Sequence, residues 1–414
     1  MIPEPGVVPT AFAEPVDRVR ARWTAAVVLA NVGVFAAWLG PIQVILAKQS
    51  EAVAPGNKEF VFGLVTGVGA AVSVVANPVA GAISDRTTSR FGRRVPWVLA
   101  GSVGGAVGLL VLGGVASVAW MLVGWCLVQL FGNALLAAIT AAVPDRVPTL
   151  QRGSVGGWVA LSQVLGALVG TGLATYFGGI GAGYVACAVF LLLSVLPYLI
   201  GSGDERLTSR PPLVVRSFLR GFWISPRRYP DFGWGWLTRF LFNVGNALGT
   251  LYLFYYLQDK VRVDEPDTAV LILTAIYSVC VLVTSVVFGT WSDRIARRKI
   301  FVTWSGVVMA LAGVVLAFWP TWPGAVLGAI ILGAGFGVYL SVDFALLTQI
   351  LPNARDRAKD LGVINIANSL PQVFAPALAA PIVKHLGGYP LLYLLAASVT
   401  LLAGLLVRNI RSVA

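Results

Sequence analysis

Apolar residues run along this chain in long, uniform stretches separated by short polar segments. Twelve stretches emerge, over about 23–46, 59–83, 95–116, 118–143, 154–178, 183–201, 232–257, 268–290, 299–319, 322–350, 361–383 and 388–408. Each is long enough to cross a hydrocarbon core roughly 30 Å thick as a helix. Only helices and closed barrels satisfy their backbone in lipid, and these runs are too long and too uniformly apolar for barrel strands. The pattern predicts an all-α membrane protein of twelve transmembrane helices. The first 22 residues are polar and Pro-rich, and the apolar run after them is too long for a signal peptide, so it reads as the first span.

The pattern also repeats. Gly81, Ser84, Asp85, Arg86 and Arg90 recur as Gly289, Ser292, Asp293, Arg294 and Arg298, and Pro144 recurs as Pro352, always 208 residues on. Two six-helix bundles of the same orientation follow, over residues 1–201 and 231–414, related by a pseudo-two-fold along the membrane normal. Residues 202–230 join them. Within this linker, Arg216 and Arg220 lie among Phe218, Phe222 and Trp223, which suits either an amphipathic helix on the membrane surface or an ordinary basic loop.

Composition agrees: 57% of the 414 residues are hydrophobic and 12% charged. The net charge of +12 does not indicate nucleic acid, because the basic residues are spread over short loops. With both termini placed in the cytoplasm, 24 of the 30 Lys and Arg fall on the inner side. Five, at Lys48, Lys58, Lys260, Arg262 and Lys384, fall outside, and Arg239 lies within a span. That bias predicts a multi-pass protein of the plasma membrane with both termini cytoplasmic. Cys126, Cys187 and Cys280 lie in apolar stretches without metal or pairing spacing. There is no phosphate-binding loop, metal cluster or nucleophile pair, so no cofactor, metal or enzymatic activity is expected.

The loop between helices 2 and 3 reads Gly81-Ala-Ile-Ser-Asp85-Arg86-Thr-Thr-Ser-Arg90-Phe-Gly92-Arg93-Arg94. It resembles the signature loop of the major facilitator superfamily, with a shortened second copy at Gly289 to Lys299. The resemblance implies a transporter working by alternating access. In it Gly81, Asp85, Arg86, Arg90, Arg93, Gly289, Asp293, Arg294 and Arg298 form a conformational latch. The glycines would admit close helix packing, and the aspartates would meet a helix N-terminus across the bundle interface. The other reading is that these arginines only set topology.

Asn77-Pro78 before this loop and Pro96-Trp97 after it extend the likeness to glycoside–pentoside–hexuronide cation symporters. Those proteins carry Asp before that proline and bind sodium through helix-2 acids. Asn77 stands here instead, which favours the proton over sodium. In helix 5, Gly157, Gly166 and Gly170 match the spacing of a drug-antiporter motif, but Thr171 replaces its proline. These glycines read as packing residues.

The hydrocarbon region holds two charges, Arg239 in helix 7 and Asp343 in helix 10. Each costs about 2.5–3.5 kcal/mol at the bilayer centre on insertion scales. Each lies about seven residues from its inner helix end, hence at one depth of roughly 10 Å. The expectation is a pair facing a central cavity lined by helices 1, 4, 7 and 10. As the halves rock, a changing separation would load and release a proton. A static pair, or a snorkelling arginine, is the alternative. Candidate cavity residues are Asn31, Trp38 and Gln43 of helix 1, and Trp125, Gln129 and Asn133 of helix 4. Asn243, Asn246, Tyr339, Asn365, Asn368 and Gln372 come from helices 7, 10 and 11. Amides and aromatic faces suit a neutral polyol, though either can serve as interhelical glue. The expected function is proton-coupled symport of a small neutral solute such as a sugar or glycoside, by a monomer in the lipid bilayer. A proton-driven exporter of drugs or secondary metabolites is the alternative, and a sensor or scaffold on the same fold a third.

Overall fold

The computed structural model describes residues 15–207, 227–295, 298–350 and 366–411. The centre of the linker, with its candidate amphipathic stretch, and Asn365 and Pro352 lie outside the described residues.

Among the described residues twelve long helices are present. The first half holds α1 (Ala21–Val53), α2 (Lys58–Ser84), α3 (Val95–Gly113), α4 (Val118–Arg146), α5 (Thr149–Phe177) and α6 (Ile180–Gly201). The second holds α7 (Pro230–Leu251), α8 (Pro266–Ile295), α9 (Arg298–Phe318), α10 (Trp322–Ile350), α11 (Ile366–Leu386) and α12 (Gly388–Leu406). Among the described residues, eleven helices are long and apolar enough to cross a membrane. The exception is α7, whose apolar run is interrupted by Arg239, Asn243 and Asn246. It is held by packing on α10, α11 and α12.

The helix pairing repeats between halves. α1 packs on α5 and α6, α4 on α2 and α3, and α3 on α6. In the second half α7 packs on α11 and α12, α10 on α8 and α9, and α9 on α12. The duplication read from the loop motif therefore extends to the packing. The halves meet along two seams, α2 on α11 and α5 on α8.

The α2–α11 seam is not uniform. A Cβ on Gly63 would lie 2.8 Å from the Tyr252 hydroxyl and 3.2 Å from Ala380 Cβ, so the halves touch there. Five turns further along α2, among the described residues a Cβ on Gly81 would meet only Ala137 Cβ, of its own half, at 3.9 Å. The tight helix contact expected of Gly81 is not among the described contacts, which do not include residues 351–365 leading into α11. Gly289 is closer to its neighbour, with Ser341 Cβ 3.3 Å from the added carbon.

α5 packs on α1 through glycine. A Cβ on Gly166 would lie 2.4 Å from Phe35 Cβ, and one on Gly170 2.5 Å from Ala36 O. Gly157, expected to act likewise, faces open space.

Candidate functional site

At the end of the molecule away from the arginine-rich loops, polar side chains join the halves. Lys58, only 9% exposed, pairs with Glu51 at 3.2 Å in its own half and with Asp259 of the second half at 2.9 Å. The Tyr255 ring lies 5.0 Å from its ammonium. Gln258 bonds Glu51 at 2.9 Å, and Lys48 pairs with Asp267 at 2.5 Å. Tyr252 and Tyr255 donate to Glu59 O and Ala47 O across the same gap, and Lys384 donates to Asn57. All six charged groups, Lys48, Glu51, Lys58, Asp259, Asp267 and Lys384, lie in the terminal turns of helices or just beyond them, so the sequence had shown them only as surface charges.

At the motif end the ion pairs among the described residues lie within the first half. Arg94 bonds Asp85 at 2.6 Å and Asp145 at 2.8 Å, and Arg93 bonds Asp145 at 2.7 Å. The carboxylate at a helix N-terminus is Asp204, which accepts from the backbone N–H of Val95 at 3.0 Å and from that of Arg94. Gly92 has φ +96° and lies so close that a Cβ would sit 2.4 Å from Asp204 Oδ2. Burial pushes the Asp204 carboxyl above the usual carboxylate range, against the lowering effect of those two N–H donors and the nearby arginines. Asp85 is 53% exposed on its side chain. Arg86 donates to Ala82 O, and Arg90 lies over the Phe91 ring. In the second copy Arg294 is exposed and α9 begins at Arg298; the Asp293 side chain is outside the described residues. Sequence reasoning missed Asp145 and Asp204, although the Pro144-Asp145-Arg146 end of α4 was a visible signal.

A cavity of about 190 Å³ lies between the halves. Its walls come from α1, α5, α7, α8, α10 and α11, with a contribution from α9. The polar lining is Gln43, Gln163, Asn246, Thr274, Tyr277 and Gln372, with Thr250 and Ser278, and among the described residues no Asp, Glu, Lys or Arg lines it. Of the residues expected here, Gln43, Asn246 and Gln372 are in the wall.

The other described candidates lie elsewhere. Asn31 is buried and donates to Val27 O on its own helix. Trp38 packs against Gly132, and Trp125 against Gly69. Asn133 donates to Gln129, and Asn77 donates to Asn133 at 3.4 Å, tying α2 to α4. These side chains serve packing within the first half. Tyr339 is buried and stacks on Phe242 at 4.4 Å.

Arg239 and Asp343 do meet. The guanidinium Nη1 donates to Asp343 Oδ2, with 14% and 7% of the side chains exposed. Arg239 Nε donates to Asn368 Oδ1 at 2.7 Å, and Asn243 Nδ2 reaches the same oxygen at 3.3 Å. The pair therefore links α7, α10 and α11, about two turns from Asn246 along α7. All three helices belong to the second half. A rigid rotation of one half against the other leaves the Arg239–Asp343 separation unchanged, contrary to the expectation that rocking pulls the two apart.

Comparison with known proteins gives three findings. The family profile described as Major Facilitator Superfamily matches residues 24–272 and 265–412. A protein of Staphylococcus haemolyticus (strain JCSC1435), provisionally named a proline/betaine transporter, is 31% identical over 163 residues, which is 38% of this chain and 34% of that one. The chain thus spans about a third of the length of this curated relative. Among solved structures, a peptide transporter POT in complex with sulfate superposes with a TM-score of 0.77 at 14% identity, over 97% of both chains. A POT family transporter in complex with 5-aminolevulinic acid gives 0.75 at 14% identity, over 93% of this chain and 95% of that one. The human organic anion transporter MFSD10 gives 0.70 at 16% identity, over 93% of this chain and 99% of that one. At these identities the superpositions speak for the fold alone.

Proposed function

The chain belongs to the Major Facilitator Superfamily, and from that premise we propose that it carries a small polar solute of zero net charge, coupled to protonation of Asp343. The observation that carries this reading is the cavity between the halves, a largely apolar space whose polar groups are amides and hydroxyls, with no acid or base among the described lining residues. A solute with net charge would leave water there for a site without a counter-ion. The nearest intramembrane charges, Arg239 and Asp343, neutralise each other.

A sugar or glycoside is the first reading of the cargo. It rests on the amide set and on the likeness of the helix 2–3 loop to sugar symporters. A zwitterion such as proline or a betaine is the second. The name of the Staphylococcus haemolyticus relative supports it. So does the stacked pair of Tyr277 and Phe336 in the cavity wall, with centroids 6.3 Å apart. Such a face attracts a quaternary ammonium.

The charge bias of the loops supports a cytoplasmic arginine-rich end. On this reading the conformation is inward-facing, closed outside by Lys58, Lys48, Tyr252 and Tyr255. Rocking breaks those contacts and closes the cytoplasmic end, where Asp85 and its copy Asp293 take up their latch role. Asp343 exchanges its proton with whichever side is open, and Arg239 holds the carboxylate form between visits. A thermal-shift screen of sugars, proline and betaines, followed by flux into proteoliposomes under an imposed pH gradient, tests the reading. Stabilisation and uptake of one neutral solute support it. Binding restricted to solutes of net charge refutes it.

A further inference from the structure

α1 departs from regular winding at Pro41. A proline inside a helix lacks the N–H for its own turn and crowds the carbonyl four residues back. Here the chain responds with a π-helical turn, Pro41–Ile45, closed by Leu46 N–H donating to Pro41 O. Such turns reorient the side chains they carry, and the residue at the middle of this one is Gln43.

Three observations converge on Gln43. Immediately before the π turn, the α1 and α5 backbones touch: a Cβ on Gly40 would lie 2.4 Å from Gly170 O. That approach brings the Thr171 hydroxyl to 2.7 Å from Gln43 Oε1. From the second half, the Thr274 hydroxyl of α8 reaches the same oxygen at 2.8 Å. Both threonines are buried, whereas Gln43 is half-buried and lines the cavity. A carbonyl oxygen has two lone pairs, and both are engaged. The Thr171 proton is shared with Ala167 O, 2.8 Å away on its own helix, so Thr274 is the firmer of the two donors to Gln43 Oε1. The Nε2 hydrogens of Gln43 are the half of the group left for the cavity. Thr171 stands where the drug-antiporter pattern has proline, so a hydroxyl that clamps Gln43 occupies a position that would otherwise lack one.

We propose that Gln43 is the specificity-determining residue of the cavity, donating its Nε2 hydrogens to an acceptor oxygen of the solute, with Thr171 and Thr274 as positioning residues. This rests on the proposed transport of a neutral solute and names the group that solute must present: a hydroxyl or carboxylate oxygen. Because Thr274 belongs to the second half, the clamp is complete only while the halves are together above the cavity. Recognition is then strongest in the conformation described here, which ties solute binding to closure at that end.

The test uses the full chain in proteoliposomes with radiolabelled sucrose and radiolabelled glycine betaine as probes. The two distinguish a hydroxyl from a carboxylate as the acceptor. Gln43→Met keeps the length and removes the amide; it should raise KM for the transported probe about tenfold, which corresponds to about 1.4 kcal/mol. Thr274→Val should raise KM with little change in kcat, and Thr274→Ser should restore it. If the wild type transports a probe and neither Gln43→Met nor Thr274→Val moves its KM, the assignment of Gln43 is overturned while the transport reading stands. A fall in thermal stability with unchanged KM in Thr274→Val has the same meaning. If the wild type transports neither probe, the reading of the cargo fails and takes the assignment with it. Should Gln43→Met not fold, the Thr274→Val and Thr274→Ser pair carries the test alone.

Discussion

Lys58→Met should open the end of the molecule that Lys58 now closes. The ammonium reaches Asp259 of the second half at 2.9 Å and Gln258 at 3.3 Å, and it is 9% exposed. A hydrogen bond to a charged group contributes about 1.5–3 kcal/mol net. Only the bonds across the gap favour the closed state over the open one; the bond to Glu51 stays within the first half in both. Losing the Asp259 contact therefore shifts the equilibrium by about 10- to 150-fold at about 1.4 kcal/mol per factor of ten. A closed-to-open ratio of about 99:1 would come close to parity under a hundredfold shift. The assay is pulsed electron paramagnetic resonance between nitroxides on Ala52→Cys and Asp264→Cys, both exposed and on opposite halves. Cys126, Cys187 and Cys280 are first replaced by alanine. A second, longer distance population should appear in Lys58→Met and be absent from Lys58→Arg. Identical distance distributions in the wild type and Lys58→Met would refute the claim that this ion pair holds the halves together.

Three further outcomes are expected. Asp343→Asn leaves the Arg239 guanidinium buried with Asn368, and should cost about 3–5 kcal/mol of stability; the double change Arg239→Met, Asp343→Leu should recover most of it, as thermal unfolding in detergent will read. Gly63→Leu places its side chain against Tyr252, Ala380 and the Pro376 carbonyl, so cysteines near that end should gain reactivity to a membrane-impermeant thiol reagent. The Asp204 carboxyl is raised by burial, so the folded chain holds its proton longer than the unfolded one. Stability from this group falls as pH rises from 3.8, its ordinary value, through its higher folded value; Asp204→Asn should remove that slope from a plot of melting temperature against pH.

The spans were legible because lipid leaves a chain little choice: an apolar run of about 20 residues must be helical. The duplication was legible because its loop motif recurs at a constant offset, and the helix pairing followed it. Arg239 and Asp343 were legible because a charge in hydrocarbon is rare enough to need a partner. The cavity wall was not. Helical spacing says that Gln129 and Asn133 share a face, but not whether that face meets a cavity or α2. Gln163 and Thr274 went unnoticed because α5 and α8 were not assigned to the cavity, and a threonine in an apolar helix carries little signal. The π turn at Pro41 was invisible because the apolar run continues through it. The closing contacts at Lys58 and Lys48 depend on which loop faces which, and that is set by the packing of the two halves.

The most direct measurement is uptake of the solute found by thermal shift into proteoliposomes with an alkaline interior, comparing the wild type with Asp343→Asn. The account predicts that the wild type accumulates solute above the external concentration. It also predicts that Asp343→Asn exchanges solute across the membrane without accumulating it. Accumulation in Asp343→Asn equal to the wild type, or a wild type indifferent to the pH gradient, would contradict coupling through Asp343.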